Sequence, residues 1–147
     1  RLYRRLVRDD KIAVATASFS GFPGEKHKNL WIAYAVPAKD VTNEQVQAAI
    51  REEIERLKNE PVSDEELTRF KTRAKADLVR GLRSNQGLAN QFAQHHLLFG
   101  DWRALFRTID AFEEVTKEDI QRVARQTFVP TNRTVGMIVT EPAAGAE

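Results

Sequence analysis

The run V-T-K-E-D-I-Q-R-V-A-R-Q-T-F-V-P-T-N-R-T-V-G-M-I-V, Val115 to Val139, decides the fold because it turns from helix to strand without a break. Thr116 stands as an N-cap, and Asp119 three residues on faces the first-turn amides. Ile120, Val123, Ala124, Thr127 and Phe128 then recur at helical spacing. Pro130 stops the helix, since it has no N–H and drives Val129 away from helical geometry. The strand that follows, Thr134 to Thr140, is expected to return to a sheet, because a lone apolar strand has nowhere else to pair.

The sheet it would join lies near the start of the chain. Lys11 to Ser20 alternates Ile12, Val14, Thr16 and Ser18 against Ala13, Ala15, Ala17 and Phe19. After a loop with Gly21, Pro23 and Gly24, a second strand sets Leu30, Ile32, Tyr34 and Val36 against Trp31, Ala33 and Ala35, and Pro37 ends it. The short connection makes the pair antiparallel. Each strand carries a small-residue face, which either packs close to a helix or turns outward; the pattern leaves both open.

Between Thr42 and Phe128 the pattern is helical, in about five segments. Thr42 with Gln45, and Ser63 with Glu66, read as capping boxes. The stripes are Val46, Ile50, Ile54 and Leu57, then Leu67, Phe70, Ala74, Leu78 and Leu82, then Leu88, Phe92, His95 and Phe99, stopped by Gly100. Asp101 can cap a further helix bearing Trp102, Leu105, Phe106 and Ile109. Trp102 is expected in the core, where truncation to Ala would cost about 3–5 kcal/mol. Helix, two strands, helices and a closing strand make an α+β fold: an antiparallel sheet with helices packed on one face, a two-layer sandwich. Residues 1–140 read as a single α/β subdomain and 141–147 as a flexible tail.

The 147 residues suit one domain, and 41% apolar content with 30% charged describes a soluble globular chain. No apolar run is long enough for a membrane span. Absence of cysteine excludes disulfides and thiol catalysis. The chain begins at Arg1 rather than Met and reads as a piece of something longer, so location stays open between a bacterial cytoplasm and periplasm. Net charge is only +2, and basic residues are interleaved with acidic ones, against nucleic-acid binding. Arg1, Arg4, Arg5 and Arg8 do share one helical face, which reads as solvated and opposite Leu2 and Leu6, the alternative being a phosphate- or acid-binding stripe.

Catalytic and metal-ligating patterns are missing. His95 and His96 are adjacent and diverge on a helix; His95 falls on an apolar stripe and His27 in a charged loop. No H-E-x-x-H, H-x-x-E-H or G-x-S-x-G occurs, and the glycines form no phosphate loop. Glu52-Glu53, Glu65-Glu66 and Glu113-Glu114 read as solvated partners of Arg and Lys at helical spacing. The expectation is therefore no catalytic, cofactor-binding or metal residue in this chain.

Several stretches resemble the second half of a pitrilysin/insulinase-type (inverzincin) zinc metallopeptidase domain, the family that includes the mitochondrial processing peptidase. They are Arg1-Leu2-Tyr3 with Arg5-Leu6-Val7, the strand Lys11–Ala15, Pro61-Val62-Ser63-Asp64-Glu65-Glu66-Leu67 with Lys71, Gly100-Asp101-Trp102, Val115–Ala124, and Asn132–Gly136. The resemblance covers about residues 1–140 and implies a C-terminal, non-catalytic subdomain. It implies a zinc site with H-x-x-E-H in an upstream subdomain, where the metal acidifies a water and the motif's Glu is the base. The family's substrate-assisting Arg and Tyr align here with Val7 and Val14, so that pair is not carried over; Arg8 and Tyr3 do not reproduce its spacing. A strand and half a helix of the family's subdomain also precede the position of Arg1, and their loss would leave a sheet edge to be covered by upstream sequence or a partner chain.

On this reading the chain alone is inactive and walls a peptide chamber beside an upstream catalytic subdomain or a homologous partner chain. The expected partners are a peptide or unfolded polypeptide substrate and a second chain in a dimer, with no nucleic acid and no membrane span. The alternative is a subdomain of an inactive family member that serves as an assembly or structural subunit.

Overall fold

The computed structural model of the chain describes residues 1–139. Arg4–Asp9 coil as a π-helical turn, in which the Asp10 N–H donates to the Arg5 carbonyl at 2.8 Å. The sequence reading expects an ordinary helix end here; the wider turn instead seats Leu6 wholly in the interior. Lys11, at φ +54°, takes the left-handed conformation and reverses the chain into β1.

β1 (Ala13–Phe22) and β2 (Leu30–Pro37) pair antiparallel, as the pattern requires. Ala15 lies opposite Val36, Ala17 opposite Tyr34, Phe19 opposite Ile32 and Phe22 opposite Leu30. The register slips twice, between Ala13 and Ala15 and between Phe19 and Phe22. Each slip adds one residue to β1, and Gly21 at φ +87° supplies the conformation for the second. The first slip answers the alanine question by splitting the face. Ala13 turns inward and is buried, Val14 is thrown out to solvent, and Ala15 and Ala17 continue on the outer face.

Five helices follow: α1 (Asn43–Asn59), α2 (Asp64–Gly81), α3 (Asn85–Phe99), α4 (Ala104–Glu114) and α5 (Lys117–Thr127). Thr42, Ser63 and Thr116 cap α1, α2 and α5 in complete capping boxes. Ser84 accepts from the Gly87 N–H and caps α3. Asp101 does not cap a helix directly: it accepts from the Arg103 N–H at 3.0 Å in a turn that precedes α4.

The core is small. Leu6, Ala13 and Ala49 form its centre, with Leu2, Val7, Ile12, Ala35 and Ile50 packed around them. α5 lies along α1, pinned by Arg125 Nε donating to the Lys58 carbonyl at 2.8 Å and by Phe128 standing edge-on to Trp31 at 4.8 Å. Helices α2, α3 and α4 pack on one another as a second group, with Leu105 and Ala104 buried and Lys75 paired to Glu113 at 2.6 Å.

Three expectations need correction. Trp102 is 38% exposed, resting edge-on against Phe92 at 4.9 Å, because the turn at Asp101 places it before α4 rather than on its buried stripe. Val123, Phe70 and Phe99 are likewise open to solvent on one side. The closing strand does not pair: among the described residues the sheet has two strands only. Residues 133–139 leave the Pro130–Asn132 turn with Arg133 extended, and Asn43 Nδ2 donates to the Ile138 carbonyl at 3.0 Å. Thr140 and the tail reading for 141–147 lie outside the described residues.

Candidate functional site

The unpaired closing segment leaves a groove of about 500 Å³ between β2 and residues 132–137. Val46, Ile50 and Ile54 of α1 make its apolar floor, and Trp31, Ala33 and Ala35 form one wall. Residues Arg133 to Met137 form the other wall, and Phe128 lies at one end. Asn43, Gln47, Arg51 and Glu55, one helical turn apart, add a polar stripe. The groove was not foreseen. Its one sequence signal was the pair Ala33 and Ala35, whose small side chains leave space above α1.

The opposite face of the sheet is a second candidate surface. Phe19, Phe22, Leu30, Tyr34 and Val36 all lie exposed there, joined by Val14 at the bulge. Neither strand contains a charged residue. Contiguous apolar surface of this kind marks a face that meets another macromolecule.

The titratable residues are placed as structural links. His95 is buried, and its Nδ1–H donates to the Gln91 carbonyl at 2.8 Å, one turn back on α3. His96 and His27 are exposed. Glu53 is buried and accepts from Arg5 at 3.2 Å and Arg56 at 2.8 Å, while Glu52 also pairs with Arg5. Glu66 accepts from Arg1 Nε at 3.0 Å and Nη2 at 2.8 Å while it completes the cap of α2. That bidentate Arg1 contact, helped by the Ser63 N–H, holds the Glu66 carboxyl down at about 2. Glu52, Glu53, Glu66 and Glu113 therefore tie elements together across the fold, where sequence reading expected solvated local pairs; Glu65 with Arg69 and Glu53 with Arg56 do keep to helical spacing. Arg1 and Arg5 are likewise engaged, so the basic face is not a free stripe; Arg4 meets Asp9 at 3.5 Å at the surface and Arg8 is exposed.

The donor set does not suit zinc. Among the described residues no three His, Asp or Glu side chains gather where they could hold a metal ion. His95 is committed to a carbonyl and Glu53 to two guanidinium groups. Among the described residues no helix is long and apolar enough to cross a membrane.

The sequence profile described as the peptidase M16 inactive domain matches residues 1–74. Among solved structures, the inactive peptidase domain of a candidate zinc protease from Bordetella parapertussis is 25% identical with a TM-score of 0.83, over 99% of this chain and 76% of its own. A candidate zinc protease from Bordetella pertussis Tohama I is 26% identical with a TM-score of 0.80, over 95% of this chain and 75% of its own. A protease from Helicobacter pylori, 24% identical, shares the fold with a TM-score of 0.80 over 89% of this chain, which spans only 31% of that protein. Comparison with curated proteins finds no match.

Proposed function

This chain belongs to the peptidase M16 inactive-domain family, and from that premise we propose that it is the non-catalytic C-terminal subdomain of a zinc-dependent metalloendopeptidase. Its task is to wall the chamber that holds the peptide. The zinc site belongs to a separate, upstream subdomain, and a homologous partner chain completes a dimer.

The observation that carries this reading is the uncharged outer face of the sheet. The inner face packs against the Arg4–Asp9 turn and α1, whereas Phe19, Phe22, Leu30, Tyr34 and Val36 offer apolar surface with no helix packed on it among the described residues. Such a surface suits an unfolded peptide, whose exposed apolar side chains gain by leaving water without needing a defined sequence. The Bordetella relatives, described as a candidate zinc protease and the inactive domain of one, support the same assignment.

Two measurements test it. The purified 147-residue chain should bind no stoichiometric zinc and cleave no peptide; one tightly held zinc per chain would sink the assignment. In the full-length enzyme, Tyr34→Asp or Phe19→Asp should lower kcat/KM for an unfolded substrate by about tenfold, near 1.4 kcal/mol, with the melting temperature unchanged. Unaltered kcat/KM would separate the sheet face from the substrate and favour an assembly subunit, the second reading.

A further inference from the structure

We propose that the hairpin end of the uncharged sheet face holds a carboxylate of the peptide that lies on that face. Lys26 and Lys28 supply the positive charge, so the preferred peptides are apolar segments that end in an acidic side chain or in a free C-terminus. This selection rests on the sheet face being the peptide surface, and adds the chemistry that tells one peptide from another.

The placement follows from the register. Phe22 and Leu30 are the last opposed pair of the sheet, each at least half exposed, and residues 23–29 join them. That loop leans on α3. Gln94 Nε2 donates to Glu25 Oε2 at 3.1 Å, and the Glu25 stem crosses Gly21 so closely that a Cβ there would meet its Cγ at 3.0 Å. Asn29 Nδ2 donates to the His27 carbonyl at 3.3 Å and ties the returning arm. Between loop and helix lies a cleft of about 540 Å³, with Pro23, Lys26, His27 and Lys28 on one side and Leu97 and Leu98 on the other.

The charge of the cleft is one-sided. β1 and β2 contain no charged residue, so the first cation past Phe22 is Lys26 and the last before Leu30 is Lys28. Both are exposed. Among the described residues Glu25 is the only carboxylate lining the cleft, and it is engaged by Gln94, a neutral amide, so neither lysine has an acidic partner there. Two lysines against one glutamate leave a net positive site, which attracts a carboxylate and repels a lysine or arginine. Leu97, 60% exposed, adds apolar surface beside them. A free phosphate or a nucleic-acid backbone would use the cations and leave Phe22, Leu30 and Leu97 wet. A peptide with an apolar run beside its carboxylate uses both.

Fluorescence anisotropy on the full-length protein tests this without requiring cleavage. Three labelled apolar peptides of equal length are compared: one capped at both ends with a terminal Glu, the same peptide with Gln, and the Gln peptide with a free C-terminal carboxylate. The Glu peptide should bind about fivefold more tightly than the capped Gln peptide at low salt. The advantage should vanish near about 1 M salt, where charges act only within about 3 Å. An advantage confined to the free-acid peptide supports the pocket equally and assigns it to chain ends. Lys26→Gln with Lys28→Gln should erase the advantage, whereas Lys11→Gln with Lys39→Gln, at the opposite end of the strands, should keep it. Equal binding of all three peptides overturns the proposal. So does an equal loss in both double variants, which would make the effect one of overall charge. Tyr34→Asp, read on the capped Gln peptide, separates the two levels. Weaker binding with no carboxylate advantage sinks the pocket alone; unchanged binding sinks the sheet face as the peptide surface, and the pocket with it.

Discussion

Leu6→Ala should cost more stability than any other single truncation in the first half of the chain. Leu6 is fully buried between Ala13 and Ala49, with Leu2, Val7, Ile12, Ala35 and Ile50 around it. Leu→Ala in a core costs about 2–5 kcal/mol, the larger values where the site cannot collapse. Two of the nearest neighbours are alanines and cannot reach into the space. The turn that carries Leu6 is also held in place by Arg5, bound to Asp10 at 3.2 Å and to Glu52 and Glu53. We therefore expect about 4 kcal/mol. With a urea m-value of about 2 kcal/mol/M, the unfolding midpoint should fall by roughly 2 M, read by far-ultraviolet circular dichroism. A shift smaller than about 0.5 M would refute the reasoning, because it would mean that α1 and the sheet close over the lost side chain.

Other outcomes follow from the same geometry. Trp102→Ala should cost only about 1–2 kcal/mol by the same urea melts, since the ring is partly solvated and loses chiefly its edge contact with Phe92. Arg5→Ala should destabilise by about 2–4 kcal/mol, because it strips one guanidinium from buried Glu53. Arg4→Ala, whose partner Asp9 is exposed, should change the melt by about 0–1 kcal/mol, so equal effects would contradict the assignment of Arg5 as the link. Stability should also decline on acidification. The Arg1 contact holds Glu66 at about 2, below the ordinary value of 4.5, so its contribution is complete above that value and is lost as pH falls toward 2. Asp119, held at about 2 by Arg122 and by Thr116, acts in the same direction. In Arg1→Gln the decline between pH 4.5 and 2 should be shallower in a series of thermal melts; an unchanged slope would separate Glu66 from it.

Local signals carried the sequence reading as far as they could. Thr42, Ser63 and Thr116 announce their helices because a cap is chemistry within four residues, and Pro130 ends α5 because it lacks an N–H. The antiparallel pair was legible because two alternating runs lie a short loop apart. The β1 bulge was not: the slip at Val14 depends on how Ala13 packs under Leu6, which no local pattern encodes. Trp102 misled for a related reason, since apolar spacing shows which residues share a face but not whether a neighbour covers it. The closing strand expected from composition forms no ladder among the described residues, because composition marks a segment as fit for a strand without supplying the neighbour it must pair with. The cross-element pairs Arg1 with Glu66 and Arg5 with Glu53 also stayed hidden, because their partners lie far apart in the chain.

The sheet face without charge has a consequence for the protein as a solute. Lysines or glutamates on an outer face keep two copies apart by repulsion, and this one has none across eighteen residues of β1 and β2. A net charge of +2 provides little long-range repulsion in its place. Raising salt screens even that, within about 10 Å at 0.1 M. The free chain should therefore behave as a sticky particle whose self-association grows with concentration and ionic strength, and a single lysine in place of Val36 should make it markedly easier to keep dispersed.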